Sequence, residues 1–205
     1  MKYRVTLFND DCPENPCDDF GWRVVSFNRN HVNFAHPEGY VNRDGSPVHI
    51  GLRRKLEAGT AYILSYYEHG SSAWMLAHSK EWAATPDKQW DGCSVAGILL
   101  WEDKPNYIGK TPELRREAAS AFIEVYTNWC NGNVYGFRVE KVVECDTCGS
   151  ENTEDLDDVS HCGYYDTEEM FAEIREITAD CDEVEVTGEA DWLAQYDDVK
   201  ETVAA

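Results

Sequence analysis

Between positions 111 and 132 the sequence spells out one complete helix, and that helix limits the folds the chain can reach. Thr111 can cap the first turn, Pro112 has no N–H to leave unsatisfied at the first helical position, and Glu113 suits the positive end of the helix dipole. Leu114, Ala118, Ala121, Phe122, Val125 and Trp129 recur at three- and four-residue spacing and predict one apolar face. Asn131-Gly132 stops the helix, since both residues tolerate positive φ. Such a stripe must be buried, and the rest of this region offers strands to bury it. Residues 3–8 alternate, with Tyr3, Val5 and Leu7 on one face. Residues 22–27, 61–67 and 73–77 read as further strands, the last two joined across a turn at 68–72. The run SVAGILLW at 94–101 fits a central strand buried on both faces, and residues 134–143 form another strand. Residues 9–19 and 28–47 read as polar loops. The expected fold is α+β: an antiparallel sheet packed by one long helix over residues 1–143, followed by an acidic C-terminal helical segment at 144–205 packed on that core.

Charge separates the same two regions. Residues 144–205 hold 21 Asp and Glu against two basic residues, Arg175 and Lys200, a net of −19. Residues 1–143 hold 18 acidic and 16 basic residues, a net of −2. A field so lopsided repels nucleic acid and anionic membrane and attracts basic surfaces. Salt adaptation would spread acid over the whole chain, so it fits this pattern less well. The chain shows no N-terminal apolar signal region and no apolar run of the roughly 18 residues a membrane span needs, so a soluble cytoplasmic protein is expected.

Within the acidic segment, residues 167–179 predict a helix with Met170, Ile174 and Ile177 as the buried stripe and Phe171 alongside. Glu169, Glu173, Glu176 and Asp180 share another side. One helical turn separates neighbours by roughly 5–6 Å along the axis, a spacing like that of phosphates on a nucleic-acid strand. Asp155, Asp157, Asp158, Asp182 and Glu183 add to the same region. A solvated face explains such a row equally plainly. The sharper expectation is a partner-binding surface that stands in for a polyanion in a basic groove. Residues 183–187 read as a short strand and 191–196 as a last helical turn, after which the chain is expected to fray.

Eight cysteines in a chain expected to be cytosolic are read as thiols or metal ligands. Cys93 and Cys130 lie in apolar stretches and are taken as small core residues. Cys145-Asp-Thr-Cys148-Gly149 has the spacing of a zinc-knuckle half-site. His161, Cys162 and Cys181 are the candidates for the other ligands, although His161 and Cys162 are adjacent in sequence. A site with four protein ligands would be one structural zinc that braces the segment. No GxSxG, P-loop or HExxH motif is present. His69 beside Glu68 and Ser71-Ser72 is a weak hint of a nucleophile and base, and a hairpin turn accounts for these residues without chemistry.

The stretch YTNWCNGNVYGFRVE at 126–140 resembles a motif, Trp-x-Asn-Gly-x-Val-Tyr-Gly-[Phe/Tyr], found in a group of uncharacterised bacteriophage proteins, here Trp129 to Phe137. Trp90-Asp91-Gly92 with the strand after it, YYEHGSS at 66–72 and SHCGYY at 160–165 resemble further segments of that family, with His161 and Cys162 departing from its pattern. The likeness covers roughly residues 3–165. It implies a phage origin and expression in a bacterial host, and no activity transfers with it. Together these readings lead to an expected function. The chain would be a non-enzymatic inhibitor of a host nucleic-acid-binding defence system, a CRISPR effector or a restriction enzyme, acting in the host cytoplasm by acidic mimicry. Its partner would be a host protein with a basic nucleic-acid-binding groove, with no direct contact to nucleic acid or membrane. The competing expectations are a phage binding or structural module whose acid serves solubility and, third, an enzyme.

Overall fold

Val5 and Leu7 alternate with Arg4 and Thr6 along the first strand, so one face of that strand is apolar and the other polar. A computed structural model describes residues 2–104 and 107–188. The helical turn expected at 191–196 and the fraying end lie outside the described residues. The elements run β1 (Lys2–Asn9), α1 (Pro16–Asp19), β2 (Trp22–Ser26), α2 (Ile50–Glu57), β3 (Ala61–Glu68), β4 (Ser72–Leu76), α3 (Lys80–Ala84) and α4 (Lys88–Asp91). There follow β5 (Gly92–Trp101), α5 (Pro112–Cys130), β6 (Tyr135–Glu144), β7 (Glu151–Asp155), β8 (His161–Tyr164), α6 (Thr167–Ile177) and β9 (Glu183–Thr187).

The fold is α+β, and the strands form two sheets where one was expected. They belong to two compact units, residues 14–131 and the flanking residues of 2–13 with 132–188. The boundary expected after residue 143 lies one residue before the end of β6, whose partners β1, β7 and β8 all belong to the flanking unit. The central unit is an insertion between two paired strands, β1 and β6, and nothing in local hydropathy marks that long-range pairing.

In the central unit the sheet order is β2-β5-β3-β4. Residues Ala96 to Trp101 of β5 are all buried, because both faces of the sheet are covered. One face packs Trp22, Val24, Leu64, Trp74, Leu99 and Trp101 against α5. The other packs Val25, Ile98 and Leu100 against Val41 and the α2 residues Leu52 and Leu56. Helix α5 starts as read: the Thr111 hydroxyl accepts from Leu114 N at 3.3 Å. It ends at Cys130, and Gly132 turns the chain away at a φ of +72° that only glycine adopts freely. Its buried stripe differs from the expected one. Ala119, Phe122, Ile123 and Tyr126 are buried, while Leu114 and Ala121 are exposed. Ala118 and Trp129 of the expected face still pack against this core, and the Tyr126 hydroxyl finds hydrogen-bonding partners inside in Asn33 and His31, which hydropathy does not register. Cys93, expected in the core, is exposed at the start of β5. Helix α2 packs Leu52 and Leu56, at i and i+4, on the core, while α1, within the expected loop at 9–19, and α3 and α4 are too short to show a helical period.

The flanking unit has the sheet order β7-β6-β1-β9, with β8 pairing beside β7 on β6. β9 runs parallel to β1; every other pairing is antiparallel. Val5, Leu7, Phe137 and Val139 pack against Met170, Phe171 and Ile174 of α6. The acidic segment is therefore no helical appendage: β7, β8 and β9 are members of the sheet that begins at Lys2.

Candidate partner-binding surface

Helix α6 carries most of the expected site. Asp166 caps it, accepting from Glu168 N at 2.8 Å, and Glu168 and Glu169 sit at its positive end, where carboxylates are favoured. Burial of Met170, Phe171 and Ile174 leaves Glu168, Glu169 and Glu176 exposed. Asp180 is also exposed, in the turn after the helix.

Glu173 is different. The Tyr164 hydroxyl donates to Oε2 at 2.5 Å, and Nδ1 of His161 lies 2.5 Å from Oε1. The bond from Tyr164, helped by His161, holds the Glu173 carboxyl below its usual range, while burial and Glu173 push the Tyr164 hydroxyl upward. Both oxygens of Glu173 thus serve the joint between α6 and β8. The regular row of four is interrupted, and Glu169 and Glu176 stand seven residues, about 10 Å, apart along the axis.

Glu183 is also engaged within the molecule. Parallel pairing sets Lys2 beside Glu183 and Arg4 beside Glu185. Lys2 Nζ lies 2.9 Å from Glu151 and 3.7 Å from Glu183, and Arg4 Nη2 lies 3.0 Å from Glu185 and 3.6 Å from Glu151. Lys2 holds the Glu151 carboxyl below its ordinary value by a hydrogen bond and by its charge. The polar face of the sheet is a mixed-charge ladder, with Lys2 and Arg4 from the first strand and Arg138 from β6. Asp182 stands exposed just before it.

Asp155, Asp157 and Asp158 lie where β7 gives way to a 3-10 turn, Asp157–Val159. Leu156 N donates to Val139 O at 2.9 Å and Ser160 Oγ donates to Leu156 O at 2.9 Å, so this loop is pinned to β6. A cavity of about 530 Å³ opens there, lined by Tyr3, Leu156, Val159 and Ile177 together with the three aspartates. Apolar walls with carboxylates suit a long side chain with a cationic head, arginine or lysine. Among the described residues no ion pair reaches Asp155, Asp157, Asp158, Glu168, Glu169, Glu176 or Asp180.

The five candidate metal ligands are not brought together. Cys145 and Cys148 lie in the turn between β6 and β7, closed by Cys145 N donating to Ser150 O at 2.8 Å and by Gly149 at φ +70°. Backbone N–H groups of Thr147 and Cys148 lower the Cys145 thiol below its usual value. His161 and Cys162 sit on β8, opposite Phe137 and Gly136 near the other end of β6. Seven residues of β6, roughly 24 Å of strand, separate the two pairs. Cys181 stands before β9, two strands away from β6. No group of three or more His, Cys, Asp or Glu is placed to hold a metal ion among the described residues. None of the eight cysteines forms a disulfide.

His69 meets Asp91, with Nδ1 3.0 Å from Oδ2. No helix among the described residues is long and apolar enough to cross a membrane. No family model, curated protein or solved structure matches the chain.

Proposed function

We propose that the flanking unit binds a basic surface on a partner protein, and that this partner is a host defence protein, a CRISPR effector or restriction enzyme, whose nucleic-acid groove the unit occupies without catalysis. One observation carries the reading: charge segregation coincides with a folding unit. Its described residues hold 19 Asp and Glu against five Lys and Arg, a net of −14, whereas residues 14–131 net −3. Like charges gathered in one folded unit cost stability through self-repulsion, which solubility alone does not require. The surface comprises Glu168, Glu169, Glu176 and Asp180 with the aspartates of the 155–158 cavity. Glu173 and Glu183 are left out, because each is engaged within the unit. The resemblance is therefore to the charge of a polyanion more than to its spacing, and the cavity supplies an anchor point for an arginine or lysine of the partner.

The test is phage plating on bacteria that carry a restriction or CRISPR system and express the chain. Protection of the phage is expected, and it should be lost when Glu168, Glu169, Glu176, Asp157 and Asp158 are changed to Lys in a variant whose circular dichroism is unaltered. Equal plating with and without the chain in every system, or full protection by the variant, would overturn the proposal.

A further inference from the structure

A second site lies in the central unit, where two sequence segments of the phage-family resemblance meet. Strand pairing sets Tyr66 opposite Trp74 and Glu68 opposite Ser72, and the two-residue period places all four on one face of the hairpin. The C-terminal turn of α5 is fastened across that face. Asn131 accepts from Ser72 N and donates to Ser72 O, both at 2.8 Å, and Thr127 Oγ1 accepts from Trp74 N at 3.1 Å. Trp129 and Cys130 are thereby held beside the strand residues. Together these elements enclose a cavity of about 380 Å³, within the range of small-molecule sites.

Its walls are aromatic. Tyr66 and Trp74 lie 4.8 Å apart between ring centroids, and His31 packs edge-on against Trp74 at 5.2 Å. Trp129 closes another part of the lining. The Trp74 indole N–H is buried, and a hydrogen bond from Trp74 acts on the Cys130 thiol against the larger effect of burial. His31 is fixed from behind. Asn33 N donates to its Nδ1 at 3.3 Å, which leaves the ring proton on Nε2, 3.1 Å from the Tyr126 hydroxyl. Burial favours the neutral imidazole and pushes the Cys130 thiol up to about 11, so His31 and Cys130, 3.7 Å apart, rest as neutral groups rather than as an activated nucleophile and base.

Charge then decides what the cavity takes. Glu68 is its one formally charged lining residue among those described, and no Lys or Arg lines it. The Tyr66 hydroxyl donates to Glu68 at 2.8 Å and lies 2.9 Å from Ser72 Oγ, which orients the carboxylate. Trp129 and Cys130 sit at the carbonyl end of a 19-residue helix, where the dipole is negative. Ring faces, a carboxylate and a helix C-terminus all favour positive charge, and no Lys or Arg lines the cavity to draw an anion. The geometry points to a binding site for a small organic cation of the alkylammonium class, independent of the acidic surface of the other unit.

Titrating the full chain with choline and with tetramethylammonium, read by tryptophan fluorescence and calorimetry, tests this. The neutral isostere of choline, 3,3-dimethylbutan-1-ol, is the control. At least one cation should bind saturably, with the isostere weaker by about tenfold. Glu68→Gln, at an exposed position, should remove most of that preference while leaving isostere binding unchanged, and Trp129→Ala should abolish binding of both. Absence of saturable binding by either cation, equal binding of the isostere, or a preference unaltered by Glu68→Gln would overturn the assignment. Glu68→Gln keeps the test decisive if Trp129→Ala does not fold.

Discussion

The Tyr164 hydroxyl donates to Glu173, so the second acid of the α6 row is a joint between helix and strand rather than part of an outward array. The carboxyl is held below its ordinary 4.5 by this bond, with help from His161. Its stabilising contribution is complete above the unfolded carboxyl's value and is lost as pH falls through the lower folded value. The protection of residues 161–174 against hydrogen exchange, taken relative to the intrinsic rate at each pH, is therefore expected to fall as pH drops below the ordinary carboxyl range. Glu173→Gln should flatten that dependence and cost about 1 kcal/mol at neutral pH. Exchange that depends on pH identically in the variant would contradict this role.

Tyr126 is fully buried, and its hydroxyl accepts from Asn33 Nδ2 at 3.0 Å while lying 3.1 Å from His31 Nε2. Tyr126→Phe keeps the ring and leaves Asn33 and His31 only their longer contacts to the Cys17 and Cys130 sulfurs, at 3.9 and 3.7 Å. The expected cost is about 1–3 kcal/mol in denaturant unfolding. A neutral outcome would mean that the His31 loop repacks without the hydroxyl.

Thr111 caps α5 through Leu114 N. Thr111→Ala is expected to lower stability by about 1 kcal/mol, read as a shift in the urea midpoint with an unchanged slope.

The two halves of the expected zinc site sit near opposite ends of β6. Chelator treatment of the purified protein should therefore leave its thermal midpoint unchanged. Stoichiometric zinc whose removal lowers the midpoint by several degrees would show that Cys145 and Cys148 find further ligands elsewhere.

Legibility in the sequence followed the range of the physics. Local signals were readable: the Thr111 cap, the Gly132 stop, the alternation in β1 and the doubly buried run of β5 all lie within a few residues of the structure they specify. The α6 stripe was readable too, because Met170, Phe171 and Ile174 are strongly apolar. Long-range pairing was not. Nothing near Lys2 and Arg4 shows that they will lie beside Glu183 and Glu185 some 180 residues later, so the acidic segment looked uncompensated. The Glu173 joint was hidden because His161 and Tyr164 act through a strand too short and polar to register as one. The aromatic cavity had a partial signal in the two resemblance segments, but only the β3–β4 register and the Asn131 bonds to Ser72 bring them together.

Displacement of duplex DNA is the most direct test of the central claim. Purified restriction endonucleases and CRISPR effectors would be loaded with fluorescent DNA and titrated with the chain, and anisotropy followed at about 50 to 300 mM salt. The account expects at least one effector to release its DNA, with apparent affinity falling steeply as salt rises, and expects the carboxylate-reversed variant to be inert. No displacement from any effector, displacement insensitive to salt, or equal displacement by the variant would contradict it.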